Sequence, residues 1–219
     1  MKRIIFLSFI LLFQISIFAQ EETQTETQTE TQTETQTEIP TDTLLKRQLE
    51  SIRIKDQALR MLLPDVETKF GEDSPELAYF WTLILQQDSI NENEVIQIID
   101  NYGWLGANRV GEMANRAMWL VIQHAPIKTQ EKYLPLLKES VEKEESPGWH
   151  LALLEDRILM RNGEKQVYGS QATYNAGTGK MHIYPIADVS AVNERRQKLG
   201  LQSIEEYAKQ FGYIFDQAE

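Results

Sequence analysis

Apolar residues recur at three- and four-residue intervals from Leu45 to Leu159, and after Gly163 the pattern changes to every second residue. A chain with that texture buries helices against one another and has room for one small sheet at most. Leu45, Leu49, Ile52, Leu59 and Leu63 form the stripe of a first helix over residues 43–63, which Pro64 is expected to stop. Helices are predicted over 76–87, 91–102, 107–124 and 128–144, with Gly103-Trp104-Leu105-Gly106 breaking the pattern between 91–102 and 107–124 and Pro126 ending 107–124. A helix over 150–161 is apolar almost all round, with His150, Arg157 and Arg161 on a narrow exposed seam. Residues 166–174 and 181–185 are predicted as the strands of a hairpin, followed by short helices over 189–199 and 203–211. The expected fold class is mainly α: a single helical domain with one small antiparallel β-hairpin near the C-terminal third.

Met1 to Gln20 has the layout of a secretory signal peptide: Lys2 and Arg3, an apolar run from Ile4 to Phe18, and Ala19 at the cut. The expected organisation is a leader over 1–19, an acidic linker over 20–41 and the helical domain over 42–219. The protein is therefore expected to be exported, periplasmic or secreted, and to touch a membrane only if the leader stays uncleaved. The linker repeats Thr-Glu-Thr-Gln with nothing to bury, so ordering it would cost entropy without return. With no cysteine in the chain, disulfides and thiol chemistry are excluded, and about 180 residues must hold together by their core alone. A net charge of -11 argues against nucleic acid as a partner, since binding it needs a basic footprint.

Several familiar chemistries fail on spacing. Gly177-Thr178-Gly179-Lys180 lacks the earlier glycine of a phosphate loop, where Tyr174 stands, and the hydroxyl after the lysine, where Met181 stands. Ser170 lacks the second glycine of a nucleophile elbow. His124, His150 and His182 have no ligand-like spacing, so neither a metal nor any other cofactor is expected. What remains is three polar residues on apolar helix faces: Asp56, His124 and Asp156. An isolated buried carboxylate is costly, so the three are expected to share one polar cavity, with an arginine neutralising at least one of them. That network is either structural or a site. As a binding pocket it would hold a small molecule or a peptide end, with Arg60 or Arg157 meeting a carboxylate and Gln166, Tyr168 and Gln171 at the rim. As a hydrolase it would use His124 as general base, oriented by Asp156 or Asp56, with Arg157 or Gln171 facing the developing anion.

The same residues carry a resemblance. Asp56-Gln57-x-x-Arg60, Gly103-Trp104 with Gly111, Gln123-His124-Ala125, and Leu154-x-Asp156-Arg157 leading to Gly163-x-x-Gln166-x-Tyr168-Gly169-x-Gln171 resemble an uncharacterised bacterial domain family of unknown function. The resemblance runs from Leu44 to Phe211, with Leu105 and Ser170 departing from its pattern, where proline and threonine are usual. It implies a common fold and a common polar cluster, and no activity.

Overall fold

In the computed structural model, residues 41–216 are described. The leader and most of the Thr-Glu-Thr-Gln linker lie outside them. The described chain is mainly helical, with one two-stranded antiparallel hairpin in its C-terminal part. No helix among the described residues is long and apolar enough to cross a membrane.

Helix α1 spans Thr41–Phe70 and runs straight through Pro64. Proline removes one N–H donor and crowds the carbonyl four residues back, a cost of about 3 kcal/mol in a free helix. Here Arg60 and Leu63 are buried on either side of that turn, and tertiary packing outweighs the lost bond. Helix α2 spans Pro75–Tyr102 as one element where the sequence reading expected two. It holds no glycine or proline after Pro75, so nothing in the backbone interrupts it, and the Ser74 hydroxyl caps its start by accepting from the Leu77 N–H at 3.1 Å. The stretch expected as one helix over 107–124 is divided into α3 (Ala107–Val110) and α4 (Glu112–His124). Gly111 sits between them at φ 83°, a left-handed backbone that a helix cannot contain.

Helix α4 is buried on almost every side, from Ala114 through Gln123, and forms the axis of the domain. Around it lie α1, α2, α5 (Ile127–Glu142) and α6 (Gly148–Arg161). The Lys55–Glu94 and Arg60–Asp88 pairs show that α1 and α2 run antiparallel. The Asp42–Arg109 and Asp56–His124 pairs show that α1 follows α3 and α4 in the same direction. The main core joins Leu49, Ile52, Val95, Ile99, Met118, Ile122, Tyr133 and Leu154 across these helices.

A second, smaller core sits under the C-terminal third. Strand β1 (Ala172–Asn175) pairs with β2 (Lys180–Ile183), Ala172 opposite Ile183, and α7 (Val192–Lys198) and α8 (Ile204–Phe211) follow. Ile183, Ile186, Val192, Ile204 and Ala208 are its buried members. The first strand is shorter than the expected 166–174, because the N–H groups of Val167, Tyr168 and Ser170 go to the Asp156 carboxylate and Gln166 makes only an isolated bridge to Ile186.

That loop passes very close to the second core at Gly169. Its φ is 72°, and a Cβ there would lie 2.6 Å from Ile204 Cδ1 and 2.9 Å from Ile186 Cδ1. Both the left-handed backbone and the lack of space oppose any side chain. Gly169→Ala is expected to lower stability by about 1–3 kcal/mol, measured by denaturant unfolding. An unchanged midpoint would mean that the loop does not press on the second core.

Candidate functional site

Two polar networks lie inside the helical domain, and they use the residues of interest differently. The first is built on α1, α2 and α4. Asp56 is only 1% exposed although it is charged, and three side chains converge on it. Gln57 Nε2 donates to Oδ2 at 2.6 Å, His124 Nδ1 lies 3.0 Å from Oδ1, and Arg60 Nη1 lies 3.3 Å from the same oxygen. Arg60, one turn along α1, also donates from Nη1 to the Asp56 carbonyl at 2.9 Å. Its Nη2 reaches both oxygens of Asp88 on α2, at 2.8 and 2.7 Å.

Burial alone would raise the Asp56 carboxyl. The His124 hydrogen bond, the charges of His124 and Arg60, and the Gln57 amide outweigh it and hold the group below its usual range. Asp56 is thus a carboxylate, and a carboxylate only accepts, so His124 donates from Nδ1 and leaves Nε2 for other partners. Nε2 has no hydrogen-bond partner among the described residues, and the His124 side chain is 23% exposed. The result is an oriented imidazole with its basic nitrogen free at the edge of the domain.

Asp56, Asp88 and His124 each offer one ligand atom within 4.8 Å of the others, a grouping that could hold a metal ion. Arg60 already bridges the two carboxylates. The two carboxylates share the one guanidinium charge, so a dication would have to displace Arg60 from both acids. The donor set therefore fits a held guanidinium better than a metal ion.

The second network centres on Asp156, wholly buried on α6. Its oxygens accept N–H bonds from Val167 at 2.7 Å, Tyr168 at 3.0 and 3.2 Å, and Ser170 at 2.8 Å. Burial pushes its carboxyl up, and these N–H bonds pull against that. Gln166, also wholly buried, donates to the carbonyls of Gln171 and Tyr184 at 3.0 and 2.6 Å and accepts from the Gln171 N–H at 2.8 Å. Gln171 donates to the Leu153 carbonyl and Ser170 Oγ. The Tyr168 hydroxyl sits beside Glu155 and is pushed up to about 12, by burial first and then by that charge. From the other side, Arg195 and Arg196 donate to the carbonyls of Val167 and Tyr168 at 2.9 and 2.7 Å, and Tyr207 donates to that of Ser170 at 2.9 Å. The late motif is a clasp that fastens loop 162–171 to α6 and to the C-terminal helices.

The three residues expected to share one cavity divide between the two networks in their hydrogen bonds. Asp56 and His124 do meet, with Arg60 as the neutralising cation, but among the described residues no hydrogen bond or ion pair joins Asp156 to either of them or to an arginine. Backbone N–H groups do for Asp156 what a cation was expected to do. Arg157 turns instead toward α4: the Gln123 side-chain carbonyl, in the orientation that satisfies both groups, accepts from Nε at 2.7 Å and Nη2 at 3.1 Å. His150, expected on an exposed seam, is 1% exposed between Trp119 and Trp149. Asp88 was not singled out from sequence, because it fell in the gap expected between two helices.

A family model described as a family of unknown function, DUF6624, matches residues 43–216, almost the whole described chain. The chain belongs to the DUF6624 family. The match covers both networks, so the Asp56–His124 pair and the Asp156 clasp both lie within the DUF6624 domain. No curated protein and no solved structure matches the chain.

Proposed function

We propose that this DUF6624 domain is an exported hydrolase whose general base is His124. The observation that carries the reading is the 3.0 Å contact between His124 Nδ1 and the buried Asp56 carboxylate, with Nε2 left free on a partly exposed ring. Nε2 takes a proton from a water as the water oxygen bonds to the electrophilic atom of the substrate, Asp56 orients the ring and stabilises the imidazolium that forms, and that imidazolium gives the proton to the leaving group as its bond breaks. Arg60 and Gln57 keep Asp56 ionised and fixed, so they are positioning residues. Arg157, anchored to the residue before His124 and in no ion pair among the described residues, supplies positive charge for the developing anion. The side chains of Gln166 and Gln171 are spent on the chain itself, which leaves the Asp56–His124 end as the better supported site. The leader-like residues 1–19 support export, and mass spectrometry of the mature N-terminus tests it: cleavage after Ala19 is expected, and an intact Met1 would overturn it.

The test of chemistry is a panel of chromogenic esters, phosphoesters, glycosides and amides presented to the wild-type protein, His124→Gln and Asp56→Asn. Turnover of one class by the wild type, reduced at least about 100-fold in both variants with the fold retained, is the expected result. Turnover untouched by His124→Gln, or none with any class, would overturn the reading.

A further inference from the structure

The α1–α4 seam carries a second group of side chains that the Asp56–His124 pair does not use. Arg53 lies three residues before Asp56, and Arg116 lies eight residues before His124. Both are half-buried, and the Nε of each is shielded from solvent with no hydrogen-bond partner. Neither forms an ion pair among the described residues: Glu50, one turn before Arg53, is taken by Lys46, and Glu112, one turn before Arg116, makes no ion pair. Burial pulls the Arg116 guanidinium down, and the positive charge of Arg53 on α1 adds to the effect.

The floor of the same place is aromatic. The Arg116 guanidinium carbon lies 5.4 Å from the centre of the Trp149 ring, Trp149 meets His150 edge-on at 4.1 Å, and His150 stacks on Trp119 at 4.7 Å and 5°. His150 is 1% exposed, and neither of its ring nitrogens has a partner. A neutral imidazole always carries one N–H, so a buried donor without a partner among the described residues lies in the aromatic cluster that the Arg116 guanidinium covers. Buried donors without acceptors and cations without counter-charges mark the same spot, and both deficits are met by one kind of ligand.

We infer that Arg53, Arg116 and His150 form a binding site for an oxyanion, a carboxylate or phosphoryl group seated on the Trp149 ring edge between the α1 and α4 arginines. The two guanidinium forks supply charge-assisted donors, and His150 supplies the third N–H from α6. The anion neutralises a repulsion that the free protein carries, so binding is selective for charge and indifferent to the rest of the ligand.

The site is tested by direct binding, with no substrate needed. Inorganic phosphate and acetate are titrated separately into the wild-type protein, Arg53→Gln, Arg116→Gln and Arg47→Gln, using calorimetry and the rise in Tm. Arg47 is exposed, so its variant controls for loss of overall positive charge. Expected are saturable binding of at least one anion to the wild type, weakening by at least about tenfold in Arg53→Gln and Arg116→Gln, and little change in Arg47→Gln. Preference for phosphate identifies a phosphoryl ligand, and preference for acetate a carboxylate. Loss of one like charge should leave the anion-free Tm of Arg116→Gln equal to wild type or higher, which separates lost binding from lost fold; Arg53→Gln gives the same reading if Arg116→Gln does not fold. No saturable binding of either anion, or equal affinity in all four proteins, would overturn the inference.

Discussion

Asp156→Ala is expected to lower the free energy of unfolding by about 3–5 kcal/mol, the largest stability loss of any single change in this domain. The side chain accepts from three backbone N–H groups, those of Val167, Tyr168 and Ser170, and both of its oxygens are used. Truncation leaves three donors in a region closed off by Gln166, Ser170 and Gln171, each buried. An unsatisfied buried donor costs about 1–3 kcal/mol, and partial relaxation of the loop brings the sum down. The loss should also spread. Loop 162–171 is what Arg195, Arg196 and Tyr207 hold from the C-terminal side, so releasing it loosens the second core as well. Asp156→Asn tests the cause, since its amide keeps the shape but turns N–H groups toward N–H groups. It should lose most of the same energy. Denaturant unfolding decides the matter, and a variant within about 1 kcal/mol of wild type would mean that the clasp is not held by Asp156.

Acidification should weaken the fold well above the range where carboxylates titrate, and His150 is the reason. Burial first, and the charge of Arg116 second, pull its pKa down from 6.5 to about 3. The unfolded chain takes up a proton on this ring near pH 6.5, while the folded chain resists until about pH 3. Between those values the unfolded state binds more protons, so stability is full above pH 6.5 and is lost as pH falls through the window, at about 1.4 kcal/mol per pH unit. Asp56 acts with the same sign but lower down: its depressed carboxyl contributes stability above 3.8 that is lost as pH falls further. His150→Phe keeps the aromatic stack on Trp119 and replaces two unpartnered nitrogens with carbon. Urea unfolding at stepped pH should show the wild type losing stability relative to His150→Phe from pH 6.5 downward. Parallel curves for the two proteins would show that His150 is protonated as easily folded as unfolded.

Composition and periodicity were sufficient for the class of fold. Stripes such as Leu45, Leu49 and Ile52, and the nearly all-round apolar α6, follow from a period of 3.6 residues, which is a local property of a chain. The change of texture after Gly163 located the hairpin for the same reason. Polar residues on apolar faces were also legible, because a helical wheel shows them directly: Asp56 and Asp156 are both buried, as their positions required.

Partners are a different kind of fact. Pro64 forbids a helix only when nothing compensates, and the burial of Arg60 and Leu63 compensates here. The wheel placed Asp156 inward but could not say that the N–H groups of a loop eleven to fourteen residues on would meet it. It put His150 on a seam open to water, and Trp119 closed that seam from another helix. Sequence by itself thus determined that the chain is mainly helical, where stripes such as Leu45, Leu49 and Ile52 lie and that Asp56 and Asp156 must be satisfied, since each follows from spacing along one element. Only the tertiary structure decided who satisfies whom: Asp56 goes to His124 and Arg60, Asp156 to the loop, and Arg53 and Arg116 to no ion pair among the described residues, because pairing depends on distances between helices that no local period encodes.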